Sequence, residues 1–472
     1  MSPLDSIFRP SSVAIVGASP KPDKVGGVIL ENFVKRFRGE IYPVNPKYDE
    51  VRGLKAYPRV SAIPSAVDLV VIAIPAKGVP EVLEDAGRKG AKAAIIVSGG
   101  FSETGTEEGV KLERSIIEIA RKYRVRVLGP NCLGVFDNYN GVDTFFLPDE
   151  KMRRPPKGGV SFISQSGAFA SALLDWMALH GVGISKAISY GNKADIDDVE
   201  LLEYLGEDET TKVIVIYVEG LKPGSGRRFV EAARKVIKRK PIVVYKAGKT
   251  PRGGVAARSH TAALAGEYSV YKAAFRQAGL VEAMSYDEIM DFVRVLSTQP
   301  LMKGRNVYIV TDAGGLGVML TDALALEGLE VPRTPEDLRS RLRSALPQHC
   351  IVENPIDLTG DTDDERYMTV LEEVLQKDYV DAVAVVALPQ VPGLRGKLYE
   401  YLVEAKERYR KPLVVISIGS ERSQEISKFL ESRGVPVFES PERAARALAA
   451  LYAYSRIRLA RDDRLGCQGH NK

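Results

Sequence analysis

The chain has 472 residues, enough for roughly three domains with cores of their own, and its apolar (45%) and charged (27%) shares exclude wholesale disorder. The net charge of +5 is dispersed and lacks aromatic–basic interleaving, so nucleic acid is not an expected partner. Three distant cysteines, Cys132, Cys350 and Cys467, argue against disulfide and metal sites; with no secretory signal and no apolar run of bilayer length, a cytoplasmic protein with no membrane partner is expected.

Apolar runs at 12–16, 41–44, 69–74, 93–97 and 125–128 alternate with helical segments, the first over 26–37. Strands apolar on both faces and alternating with helices predict a Rossmann-like domain over residues 1–147, built on a parallel sheet. Ligands of such sheets lie at the carboxyl ends of the strands. That edge selects Gly17, Ala18, Ser19 and Lys24, then Asn45 and Lys47, Pro75, Gly99, Phe101 and Glu103, and finally Asn131 and Cys132. The first turn is not Gly-x-Gly-x-x-Gly, and Asn45-Pro46-Lys47 stands where a dinucleotide site wants a carboxylate. NAD is therefore disfavoured, and a phosphate-rich nucleotide such as coenzyme A favoured. Ordinary surface lysines are the competing reading for Lys24 and Lys47, and a small buried thiol that for Cys132.

Residues 147–156, rich in charge and proline, read as a linker, and a second α/β domain is expected over 158–298. Its first strand, 160–164, runs into Gln165, Ser166 and Gly167 and a helix to about 179. The helix start offers backbone N–H groups to a phosphate; the plain alternative is a serine N-cap. A strand over 213–218 delivers Glu219 to the same edge, and another over 241–246 leads through the glycine-rich loop 248–254 to His260. A neutral imidazole accepts a phosphoryl group with no proton to remove first, and a carboxylate beside it would fix the tautomer. Alone, His260 reads equally as a solvated loop histidine and Glu219 as a cap. Gly248-Lys249-Thr250 resembles the end of a P-loop, but Val243 stands where its first glycine belongs, and Pro251 with the glycines is expected to delay the helix.

A third α/β domain is expected over 304–458. It opens with a strand at 306–311, a turn and a helix over 318–327, and Gly314, Gly315 and Gly317 offer a second phosphate-facing helix start. Residues 354–361 read as a turn-rich loop, further strands are expected at 382–388, 413–418 and 435–438, and a helix over 442–460 precedes a frayed tail within 459–472.

Taken in order, Val16-Gly17-Ala18-Ser19, Tyr42 to Lys47, Gly129 to Gly134, Ser164 to Gly167, Ser259 to Ala262 and Gly314 to Gly317 resemble the α subunits of ADP-forming acetyl-CoA (acyl-CoA) synthetases, in the succinyl-CoA synthetase superfamily. The resemblance implies a CoA-binding domain followed by two flavodoxin-like ligase domains. It implies an acid–thiol ligase that converts acyl-CoA, ADP and phosphate reversibly to carboxylate, ATP and CoA. The route runs through an acyl phosphate and a phosphohistidine at His260, with Glu219 beside it. Phosphate would be held at Gln165, Ser166, Gly167, Gly314, Gly315 and Gly317. ADP/ATP and Mg would be bound by a separate ATP-grasp β subunit in an α2β2 assembly, and the His260 segment would swing between the two sites. A non-catalytic CoA-binding regulator of the same fold is the rival reading, for which His260 and Glu219 would have no use.

Overall fold

The computed structural model describes residues 2–261 and 267–466, of which the side chains of 258–261 and 461–466 are not described. The His260 side chain, Ala262 and Cys467 thus lie outside the described residues. The chain divides into two compact units, residues 1–179, 183–236 and 244–278 in one and 180–182, 237–243 and 279–472 in the other. Among the described residues no helix is long and apolar enough to cross a membrane.

The first unit opens with five parallel strands, Ser12–Val16, Glu40–Val44, Leu69–Ile72, Ala93–Ile96 and Arg126–Leu128. Their spatial order is second, first, third, fourth, fifth. Every residue of Ser12–Val16, Leu69–Ile72 and Ala93–Ile96 is buried, as the continuous apolar runs require of a sheet covered on both sides. The winding reverses between Ser12–Val16 and Leu69–Ile72, which opens a crevice at their carboxyl ends. Gly17 turns there at φ 90°, where a Cβ would lie 2.4 Å from the Ala73 carbonyl oxygen. The helix Val25–Arg36 starts against the same turn: a Cβ on Gly26 would lie 2.1 Å from the Gly17 carbonyl oxygen. Only glycine lets helix and turn approach so closely.

In the second sheet the parallel strands Ile242–Lys246, Val213–Val218, Lys157–Ser164 and Ile184–Ser189 lie side by side in that order. Two of the predicted boundaries change here. Gly134–Asp137 and Val142–Asp143 form a hairpin that pairs antiparallel with Ile184–Ser189, so the end of the predicted first domain forms the edge of the second sheet. The predicted linker is pinned to that hairpin: Arg154 donates to Asp143 at 2.9 Å and to the carbonyls of Phe145 and Leu147. A third correction concerns the loop before His260. The helix Pro251–Thr261 begins at Pro251, with the Thr250 hydroxyl accepting the Gly253 N–H at 3.0 Å as a cap, and it includes His260. Proline at the first helical position does not delay a helix, because its missing N–H would have had no partner there. The case against a P-loop rests on Val243 alone.

The second unit carries the parallel strands Val307–Thr311, Ile356–Asp357, Ala382–Val386, Leu413–Ile416 and Val437–Phe438, again ordered second, first, third, fourth, fifth. The short strand Ile356–Asp357 lies within the stretch read as loop. The last helix, Pro441–Gly466, continues through much of the expected tail.

Candidate functional site

At the carboxyl edge of the first sheet the predicted residues gather as loops. Asn45 joins two of them: its amide donates to the Ala18 carbonyl at 2.8 Å, and its oxygen accepts the Lys47 N–H at 3.0 Å. The Ser19 hydroxyl accepts the Lys21 N–H. Lys24, Lys47, Pro75 and Gly99 are exposed, so the crevice presents two cations beside the start of the helix Val25–Arg36, an environment suited to phosphates. The Glu103 carboxylate accepts the N–H groups of Gly100 and Phe101 and folds the fourth loop back on itself. Two side chains depart from expectation. Phe101 is fully enclosed in the core, so its ring is closed to a ligand. Cys132 is buried, its thiol donates to the Ile96 carbonyl, and burial pushes it up to about 12. It packs as a neutral thiol, and no thiolate is available for chemistry.

One stretch after the strand Ile184–Ser189 ties the first-domain loops to the second sheet. Asn192, Ala194 and Ile196 donate their N–H groups to the carbonyls of Pro130, Gly129 and Val127. The Asn192 side-chain amide donates to Glu103 at 2.6 Å and to Glu113 at 2.9 Å, and its oxygen accepts from Asn131. Sequence reasoning missed Asn192, although it sits in a Gly-Asn-Lys turn after an apolar strand, which marks a sheet edge.

Glu219 leaves its strand 3% exposed, at the edge where the sequence puts it. Its N–H and that of Gly220 both donate to Gln165 Oε1, at 2.5 and 3.0 Å. Its carbonyl accepts from Lys246 Nζ at 2.7 Å, and the Gly220 carbonyl accepts from the Lys193 ammonium. The carboxylate faces the Tyr217 phenol, which burial first and that charge second raise above its ordinary value. Burial holds Lys246 below the usual lysine range, with the Glu219 charge opposing the shift. The next segment after Lys246 is the short loop Ala247–Thr250, and then the helix that carries His260. That helix lies against the turn Ser102–Thr104 of the first domain.

At the helix Gly167–Leu179, Ser166 is the cap: its hydroxyl accepts the Phe169 N–H at 3.3 Å. Gln165 turns inward to Glu219, so of the predicted phosphate cradle the N–H groups of Gly167 and Ala168 are those not claimed by the described hydrogen bonds. The corresponding turn of the second unit is built in the same way. Ser164 bonds both backbone groups of Ser166, and Thr311 bonds both of Ala313. There the helix Gly314–Leu326 starts with no side-chain cap, but two carboxylates face it. A Cβ on Gly314 would lie 2.6 Å from Asp357 Oδ2. Asp312, 5% exposed, accepts the Leu388 N–H at 2.8 Å through Oδ2, and its Oδ1 is buried without a partner. Burial pushes it up to about 6. The two helix starts therefore differ electrostatically: the one at Gly167 favours an anion, and the one at Gly314 already has carboxylates beside it. Among the described residues no group of three or more His, Cys, Asp and Glu is placed to hold a metal ion.

Comparison with known proteins bears on the same segments. Family models described as a CoA binding domain, a succinyl-CoA ligase like flavodoxin domain and a ligase-CoA domain match residues 11–138, 157–296 and 307–461. The chain is 43% identical over 460 residues to the α subunit of acetate–CoA ligase [ADP-forming] I of Pyrococcus furiosus, covering 96% of this chain and 98% of that protein. It is 41% identical over 454 residues to acetate–CoA ligase [ADP-forming] I of Archaeoglobus fulgidus, of whose length it spans 64%. Among solved structures, the dinucleotide-forming acetyl-coenzyme A synthetase 1 of Ca. Korarchaeum cryptofilum, in complex with phosphate and ADP, superposes with a TM-score of 0.92 at 39% identity, over 98% of this chain and 99% of that one. Such identity, sustained from the first crevice to the last helix, means that the chain belongs to the family of α subunits of ADP-forming acetate–CoA ligases.

Proposed function

We propose that the chain is the acyl-transferring half of an ADP-forming acyl-CoA synthetase, with acetyl-CoA as the first substrate to test. The crevice at Gly17, Asn45 and Lys47 would bind CoA, in the first of three domains whose ranges follow the family matches at 11–138, 157–296 and 307–461. An oxygen of inorganic phosphate attacks the thioester carbonyl; the C–S bond breaks, and CoA leaves as the thiol after taking a proton. His260 then attacks the phosphorus of the acyl phosphate through a ring nitrogen, the P–O bond to the acyl group breaks, and the carboxylate departs. Glu219 accepts the other ring N–H, which fixes the tautomer and balances the charge of the phosphorylated ring. The N–H groups of Gly167 and Ala168 would steady the phosphoryl oxygens, as phosphoryl transfer relies on positioning and fixed dipoles. ADP and its magnesium ion would be held by a separate partner, to which the His260 segment delivers the phosphoryl group; α2β2 assembly in the cytoplasm completes the reading. The partner is supported by the designation of the Pyrococcus relative as a subunit and by this chain's span of 98% of it.

The observation that carries this reading is the buried Glu219, fixed at the sheet edge on the strand beside the one that leads into the His260 helix. A CoA-binding regulator needs neither residue. The test supplies labelled phosphate and acetyl-CoA to the chain together with its nucleotide-binding partner. Acid-labile, base-stable label on the parent and none on His260→Ala is expected; equal labelling of both, or of neither, would exclude the reading.

A further inference from the structure

Glu219 and Gly220 are held in an unusual way. Their two N–H groups and two carbonyls are the four polar main-chain groups of one dipeptide, and three buried side chains take all of them. Gln165 is 3% exposed, Lys193 5% and Lys246 0%. An ammonium is costly to bury, and a carbonyl alone does not repay its desolvation. Lys193 is balanced by Asp198 at 2.9 Å, and Lys246 lies 4.8 Å above the Tyr271 ring and within the field of Glu219. Two buried cations directed at consecutive carbonyls exceed what a strand end needs, since strand ends are ordinarily completed by neighbouring backbone or water.

The chain contains its own control. Ser164 pairs with Tyr217 and Thr311 with Val386 in parallel register, so Gln165 corresponds to Asp312 and Glu219 to Leu388. In the second unit the residue at the glutamate position is apolar. A side chain meets its main chain there in the one bond from Leu388 N–H to Asp312, while the Leu388 carbonyl accepts the backbone N–H of Val391, and the next residue is Pro389, which has no N–H to hold. Among the described hydrogen bonds, no lysine reaches the Leu388 or Pro389 carbonyl. The same topology thus builds the four-point grip where a carboxylate stands and omits it where one does not.

We propose that Gln165, Lys193 and Lys246 are positioning residues that hold Glu219 by its main chain, so that its carboxylate meets the His260 ring in one fixed geometry. The proposal rests on the reading that Glu219 orients His260. Because Lys193 follows Asn192, which binds the Glu103 loop, the grip also shares a backbone segment with the edge of the CoA crevice. The positioning acts on the phosphoryl-transfer step; the three side chains are buried at the second sheet rather than at the loops of the first, so CoA should bind as before.

The experiment is a double-mutant cycle on the full chain with its partner, read as the rate of His260 labelling from phosphate and acetyl-CoA and as KM for CoA. Gln165→Met removes the shared acceptor and is expected to slow labelling about 10- to 100-fold, the range of a misplaced catalytic group, with KM for CoA within about twofold. Gln165→Glu, which keeps an acceptor oxygen at the same reach, should recover part of the rate. In a Glu219→Gln background, Gln165→Met should cause almost no further loss, because it acts through the carboxylate already removed. If Gln165→Met does not fold, Gln165→Asn, with its amide withdrawn by one methylene, is read in the same cycle. Full labelling by Glu219→Gln would overturn the reading of Glu219 and the grip with it. Slow labelling by Glu219→Gln with a normal rate for the Gln165 variants, or strictly additive losses in the double variant, would overturn the grip alone.

Discussion

The Asp312 carboxyl shows how a single buried group carries a pH signature. Burial raises it to about 6, so over the interval from its unfolded value of about 3.9 the folded chain keeps a proton that the unfolded chain has lost. Stability therefore falls as pH rises through that window and stays lower above it, by about 3 kcal/mol for a shift of this size. Tyr367 donates its hydroxyl to the Val386 carbonyl, which leaves its oxygen able to accept from a protonated Asp312. Asp312→Asn supplies such a donor at every pH and keeps an oxygen for the Leu388 N–H. We expect the variant to be more stable than the parent by about 1–3 kcal/mol at about pH 8, with the gap closing by about pH 4. Denaturant unfolding at the two pH values measures it, and a constant gap would show that the carboxyl does not titrate in the window. Residues of this kind are hard to read from sequence. Lys193 and Lys246 are another case: lysine is among the residues least often fully buried, and nothing in a one-dimensional pattern says that its amine turns inward to a carbonyl. Glu219 was legible because a carboxylate at the end of an apolar strand has an assigned place in an α/β fold. Gln165 was placed in the right turn, but the bonds its oxygen accepts from Glu219 and Gly220 N–H were not legible, since an amide beside a helix start reads first as a phosphate ligand.

At the scale of elements, continuous apolar runs located the longer parallel strands to within a few residues, because strands buried on both faces leave no polar position to blur the signal. The hairpin Gly134–Asp137 and Val142–Asp143 was lost for the opposite reason. Its buried Asp137 and Asp143 break the apolar pattern, and it is completed by partners distant in sequence, Lys186 and Arg154. The start of the helix Pro251–Thr261 was legible in principle, in Thr250-Pro251 as cap and first position; the glycines that follow masked it. Close approach of elements was legible only in part. Gly17 was singled out, whereas Gly26, against which the same turn packs, was not. Gly26→Ala puts a methyl group 2.1 Å from the Gly17 carbonyl oxygen, a distance at which the backbone must move. The expected loss is about 1–3 kcal/mol of stability, with weaker CoA binding because the displaced turn is the one at the sheet's switch point. A variant with parental unfolding midpoint and CoA affinity would show that the helix can slide without consequence.

For the molecule as a whole, the proposed chemistry requires the CoA crevice and the Glu219 edge to keep a constant separation, and the stretch around Asn192 is one of the joints that tie them within the first unit. Residues 190–196 run beside 127–131, and the Asn192 amide donates to two carboxylates, Glu103 and Glu113, the second of which also accepts the Ser102 hydroxyl at 2.7 Å. Asn192 also receives a hydrogen bond from Asn131, so the joint touches the fourth and fifth loops of the crevice together. Asn192→Asp keeps the shape of the side chain and replaces the donor by a third carboxylate, so that repulsion acts where two hydrogen bonds held. Asn192→Ala removes the bonds without adding the charge. If the joint sets the separation, both variants should raise KM for CoA, Asp more than Ala, with kcat falling because Lys193, the next residue, is displaced from the Gly220 carbonyl. The difference between the two variants is electrostatic and only partly buried, so about 0.5 M salt should shrink it while leaving the loss common to both. CoA titrations of the partner-bound chain at low and high salt separate these effects. Equal behaviour of Asp and Ala at every salt concentration would mean that the carboxylates move apart freely, and parental KM in both would mean that the backbone bonds to 127–130 and the neighbouring ion pairs of Arg126 set the spacing without the Asn192 side chain.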